Sequence, residues 1–175
     1  MNRRQLLKVG LLGTAGLAVI GIVARQPWKT GAATFKAPAA PEWTAAAEGL
    51  VSAVARVVLG PACSESAEAR QRALEGVKVA VSRLSPAAQG EVADLLGLLT
   101  FAPTRGLAAG IWTDWREARD EDVAAFLQRW RHSRIGLLQS GYHALHDLVV
   151  GSWYADPATW NDIGYPGPPQ IGASA

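Results

Sequence analysis

His143 and His146 stand three residues apart with Asp147 next in line, a spacing that could seat a metal ion between two ring nitrogens on one helix. Metal centres in helical bundles, however, draw histidines and carboxylates from several facing helices. The other apolar stripes of this chain carry neither type at core positions. On a helical wheel His146 borders an apolar stripe, while His143 and Asp147 rotate away from it. The pair therefore reads as a boundary histidine with solvated neighbours, and a small metal or redox protein using His143 and His146 stands as the alternative function. His132 falls at a helix end, where a cation suits the macrodipole. Cys63 is the only cysteine, which excludes an internal disulfide, an iron–sulfur cluster and a c-type haem attachment. Gly10, Gly13 and Gly16 lack the dinucleotide fingerprint spacing and follow no strand. There is no P-loop and no Gly-x-Ser-x-Gly elbow. No catalytic, cofactor-binding or metal-ligating residue is expected in this chain.

The elements that would have to position such groups are all helical. Leu50, Val51, Val54, Val57 and Val58 mark one face of a helix from about Thr44 to Leu59, which Gly60-Pro61 stops. Leu74, Val77, Val81 and Leu84 mark a second helix, with Arg70, Arg72, Glu75 and Lys78 on its exposed side. Ser85 and Pro86 supply an N-cap and a first-turn proline for a third helix, whose stripe is Val92, Leu95, Leu96 and Leu99. Residues 102 to 115, with Pro103, Gly106 and Gly110, read as an ordered irregular segment rich in tryptophan. Asp120 is placed as cap of a fourth helix carrying Val123, Phe126, Leu127 and Trp130. A fifth runs from about Ser133 to Trp153, with Ile135, Leu138, Tyr142, Leu145, Val149 and Trp153 as its stripe. A short turn of helix is expected between Pro157 and Asn161. The fold class is all-α, a small bundle of about five helices, with the helical domain spanning 44–163.

The N-terminus addresses the protein. Arg3-Arg4-Gln5-Leu6-Leu7-Lys8 precedes an uncharged run from Val9 to Ala24, which is shorter than the roughly 20 residues of a spanning helix. Arg3, Arg4, Leu6, Leu7 and Lys8 resemble the head of a twin-arginine export signal. Small residues at Gly31-Ala32-Ala33 put the signal at 1–33 and a Pro/Ala linker at 34–43. Five of the 17 basic side chains lie in those first 33 residues, which hold no acid, so the remainder carries 12 basic against 15 acidic groups. A domain with that net negative charge has no basic face to spare for phosphates, and nucleic acid is not an expected partner.

Six of the seven tryptophans follow the signal. Trp112, Trp115, Trp130-Arg131 and Trp153-Tyr154 could form an aromatic cage for a sugar or quinone in a free periplasmic binding module. A role in core and interfaces explains the same residues without a convergent pocket. The tail 164–175 opens with Gly164-Tyr165-Pro166-Gly167-Pro168-Pro169-Gln170, which cannot be helical. It is expected to be extended and polyproline-like, a form that docks at low entropic cost.

Leu145 to Leu148, Gly151-Ser152-Trp153-Tyr154, Pro157, Trp160 and Ile163 to Pro169 together resemble the closing signature of the gluconate 2-dehydrogenase subunit 3 family. The twin-arginine head, the Ala/Pro linker and the Leu84-Ser85-Pro86 step are also similar to it. The resemblance implies a non-catalytic small (gamma) subunit with no cofactor of its own. Its partner would be a FAD-dependent dehydrogenase of the glucose–methanol–choline (GMC) type that lacks an export signal. The small subunit would bind and stabilise that chain and escort it, already folded, through the twin-arginine translocase. A multi-haem cytochrome c would accept the electrons, in a complex at the periplasmic side of the inner membrane. On this reading the partner contacts are Trp153, Tyr154, Trp160, Tyr165, Pro166 and Pro168, joined by Arg105, Trp112 and Trp115.

Overall fold

The computed structural model describes residues 40–161 and 164–168. The expected export signal, most of the expected linker, Ile163 and the chain beyond Pro168 lie outside them. Among the described residues the chain is all-helical, with seven α-helices, one 3₁₀ turn and no strand.

Helix α1 (Ala45–Leu59) starts where Thr44 accepts the amide of Ala47 at 3.2 Å, satisfying one of the donors that a helix leaves free at its start. It is the central element and packs against the helices on every side: α2 (Pro61–Ser64), α3 (Ala67–Ser82), α4 (Pro86–Thr100), α6 (Asp120–Arg131) and α7 (Gly136–Tyr154). Its apolar surface accordingly exceeds the single stripe read from the sequence. Ala47, Gly49, Ala53 and Ala55 are buried along with Leu50, Val51 and Val54, whereas Val57 and Val58 are only partly covered. The end of the expected linker also belongs to the body, since Pro41 is buried and Trp43 packs against the core.

Two short helices account for the difference from five. Pro61 begins the four-residue α2, directly after the positive-φ cap Gly60, and Cys63 is buried beneath it. The second is a correction to the irregular segment: Ala102–Ala109 form a helix, α5, with Pro103 in its first turn. Phe101 closes α4 and opens α5, and Gly110, at φ 70° in the left-handed region that an L side chain rarely adopts, ends it. Proline and glycine, taken as breakers, here sit at the two ends of a helix instead of within a loop. Helix α5 packs chiefly on α4.

Two N-termini also shift. The residue preceding α6 is Arg119, with Asp120, Glu121 and Asp122 in the first turn, so the acids act on the helix dipole and not through a side-chain cap. Helix α7 opens at Gly136 after Ile135, three residues later than the expected start, and Ile135 is half exposed instead of lying on the buried stripe.

The core is one cluster threaded by aromatic rings. Phe126 of α6 meets Trp115 at 5.7 Å and Trp130 edge-on at 4.9 Å between centroids. Tyr142, Leu145, Val149 and Trp153 of α7 face the same interior, as their 3-and-4 spacing requires. Outside the core, Lys78 of α3 bridges Glu48 of α1 at 2.8 Å and Glu75 at 2.9 Å. These hydrogen bonds raise the Lys78 ammonium above its ordinary pKa.

Candidate partner-binding surface

The nine residues assigned to partner contact divide into three that serve this chain's own interior and six at its surface. Trp115 is fully buried, and its indole N–H donates to the Leu99 carbonyl at 2.7 Å, tying the 110–119 turn to α4. Trp153 is buried among the α7 stripe, as its spacing alone dictated. Arg105 is 7% exposed and donates Nε to the Ile111 carbonyl at 3.2 Å and Nη2 to that of Trp112 at 3.4 Å. A buried guanidinium bonded to carbonyls just beyond its own helix pins the turn that follows α5. These three side chains are engaged in the chain's own interior, away from the surface where a partner would meet the described residues.

Five of the six surface residues gather at the C-terminal end of α7. Tyr154 is 43% exposed on the last residue of that helix. Asp156 then caps the 3₁₀ turn Pro157–Thr159 by accepting the amide of Ala158 at 2.9 Å. The buried Thr159 hydroxyl lies 2.9 Å from the Trp153 carbonyl, locking the turn back onto the helix end. Trp160 is thereby carried beside Tyr154 and donates its indole N–H to that residue's carbonyl at 2.9 Å.

The tail begins by folding over this tryptophan. The Tyr165 amide donates to the Trp160 carbonyl at 3.0 Å, and its ring meets the indole edge-on at 5.2 Å. Gly167, at φ 97°, brings the backbone so near that a Cβ there would sit 3.3 Å from the indole. Pro166 and Pro168 are left exposed on either side, and residues 165–167 have no regular secondary structure. Tyr154, Trp160, Tyr165, Pro166 and Pro168 thus form one aromatic and proline surface, partly consolidated by contacts within the chain.

Trp112 lies elsewhere. It is 70% exposed, with its ring laid against Gly106 of α5, where a Cβ would come within 2.5 Å of the indole. The end of α5 adjoins Trp130, which in turn packs on Gly141 near the start of α7. Trp112 and the C-terminal surface are therefore separated by roughly 20 Å measured along α7 at 1.5 Å per residue. The resemblance joined Trp112, from the 102–115 segment, to the C-terminal set, and a family signature says nothing of distance.

The histidine pair sits on the outward side of α7. His143 is exposed, and the half-buried His146 has Nδ1 2.9 Å from the Asp147 carboxylate. Both rings flank Tyr142, at 5.2 and 5.5 Å. Among the described residues no three His, Cys, Asp or Glu side chains gather closely enough to hold a metal ion. Burial pushes the Cys63 thiol above its ordinary pKa, which leaves it the protonated, weakly nucleophilic form at neutral pH. A depression lined by Trp43, Val54, Val92, Leu96 and Leu148 encloses a volume of only about 10 Å³, room for a single water. Among the described residues no helix is long and apolar enough to cross a membrane. No family model, curated protein or solved structure matches this chain.

Proposed function

We propose that this chain is the non-catalytic small subunit of an exported flavoprotein dehydrogenase of the GMC type. It binds and stabilises the large, FAD-bearing chain and carries it through the twin-arginine translocase, with a multi-haem cytochrome c as a further subunit of the complex. The observation that carries the reading is the C-terminal surface. The residues of the signature that resembles the gluconate 2-dehydrogenase subunit 3 family include Tyr154, Trp160, Tyr165, Pro166 and Pro168, which together present aromatic rings and prolines to solvent. Rings held by indole and amide hydrogen bonds are pre-organised, so they lose little entropy on docking, and Trp and Tyr are the side chains most often found at interface centres.

Removal of residues 164–175 tests this. The truncated chain is expected to keep its helical circular dichroism while losing co-purification of the dehydrogenase. Trp160→Ala, which deletes the platform under Tyr165, is expected to weaken co-purification as well. Retention of the large subunit by both variants would exclude this surface from the complex.

A further inference from the structure

A second surface, at the opposite end of α7, has a different chemistry. From Val123 to His146 the chain runs 24 residues without an acidic side chain, while Arg129, Arg131 and Arg134 fall within it. Among the described residues none of these three forms an ion pair with a carboxylate. Arg129 donates to the Ala109 carbonyl at the end of α5, and Arg131 lies over the Tyr142 ring at 6.0 Å. The large apolar side chains around them are in water: Leu107 is 71%, Trp112 70%, Leu137 52% and Ile135 49% exposed.

Packing brings these groups to one end of the bundle. The Trp130 indole donates to the Ala108 carbonyl and rests on Gly141, so the C-termini of α5 and α6 meet the first turns of α7. Residues 135 to 140 lie there, with all but Leu138 exposed. The acids Asp120, Glu121 and Asp122 lie at the far end of α6, about 18 Å away at 1.5 Å per residue. Asp114, which shares the turn with Trp112, is engaged by Arg116 at 3.0 Å.

We infer that this end docks on a bilayer bearing anionic phospholipid headgroups, with Ile135, Leu137 and Trp112 entering the interface and Arg131 and Arg134 meeting the phosphates. Exposed aliphatic side chains at the start of a helix, joined by an exposed tryptophan and by arginines that pair with no carboxylate, have the composition of a peripheral membrane contact. Anionic headgroups supply at one boundary both the phosphates that the arginines lack and the apolar phase that the aliphatic side chains lack. The C-terminal aromatic surface lies about 28 Å away at the other end of the 19-residue α7, so both surfaces can be engaged at once. The inference stands on its own observations and does not need the dehydrogenase reading.

The full chain with Leu137→Cys, carrying a polarity-sensitive dye, reports the tip itself, whatever the N-terminal segment does. Cys63 is buried and is the only native cysteine, so labelling is selective. Vesicles of phosphatidylglycerol and phosphatidylcholine are expected to shift the dye emission to the blue, and phosphatidylcholine alone is not. The same dye at Gln71→Cys on α3 is expected to stay unshifted. Adding Arg131→Gln and Arg134→Gln is expected to raise the lipid needed for half the shift by about tenfold or more, since each surface arginine contributes roughly fivefold. The inference is overturned by an unshifted Leu137 label, by an equal shift on zwitterionic vesicles, or by an undiminished response of the double variant. A blue shift produced equally by soluble polyglutamate would assign the surface to an acidic protein, and would overturn it too.

Discussion

Glycines within the helices differ in whether a neighbour excludes a side chain, and the difference has measurable sign. Gly141 of α7 lies under Trp130, where an added Cβ would come within 2.5 Å of the ring. That ring is buried and fixed by its bond to Ala108, so it cannot easily yield. Gly141→Ala is expected to cost about 1–3 kcal/mol through overpacking. Gly97 and Gly151, also within helices, have nothing within 4 Å of the same position. There an alanine relieves only the entropic penalty of glycine, and Gly97→Ala or Gly151→Ala is expected to stabilise by roughly 0.5–1 kcal/mol. Denaturant midpoints at unchanged slope would test all three variants. Gly106 is of the Gly141 kind, set against Trp112, but that indole is exposed and has room to move.

Among elements, α3 is tied to α1 by charge as well as by packing. Lys78 touches Glu48 and Glu75, with its own side chain 23% exposed and the carboxylates 38% and 51% exposed. Pairs of that exposure contribute at most about 1 kcal/mol. Because the folded Lys78 pKa is raised, its contribution is fully present below the unfolded lysine value near 10.4 and is lost as pH climbs through the folded one. Lys78→Met is therefore expected to melt a few degrees lower at neutral pH, and the gap should close at strongly alkaline pH. The carboxylates have the opposite sense. The Ser66 hydroxyl lowers Glu68, Arg116 lowers Asp114 and Arg119 lowers Asp122. What these contribute is present above the ordinary carboxylate range and fades as pH falls through their folded values. All three are near the surface, so added salt should reduce the effect.

At the scale of the whole molecule, the two proposed surfaces lie at the two ends of α7, and the proposed export signal falls outside the described residues. Positions 3 and 4 carry the paired arginines, and lysine keeps their charge while removing the guanidinium fork. On the proposed reading, replacing Arg3-Arg4 by two lysines is expected to strand both this chain and the proposed dehydrogenase partner in the cytoplasm, read as loss of both from the periplasmic fraction. Export of the large subunit with the substituted signal would require another carrier for it. The bundle itself should fold in either compartment, since its one cysteine is buried and no disulfide depends on an oxidising medium.

The pattern of apolar residues was sufficient for the helices at 45–59, 67–82, 86–100, 120–131 and 136–154, because a helix that must bury one stripe writes it at intervals of three and four. Thr44, Ser66 and Ser85 cap three of them by contacts within three residues, which a sequence also carries. Helix α5 was hidden, since its eight residues include Pro103 and Gly106, are followed by Gly110, and bury only Arg105, Gly106 and Ala109. The fates of the aromatic residues were hidden as well. Trp115 and Trp112 are three residues apart in a turn, yet one is fully buried and the other lies in water. Local composition decides that a tryptophan seeks cover. Which side of a turn finds that cover depends on elements distant in the chain, here Leu99 and Phe126 for Trp115, and only the assembled bundle determines it.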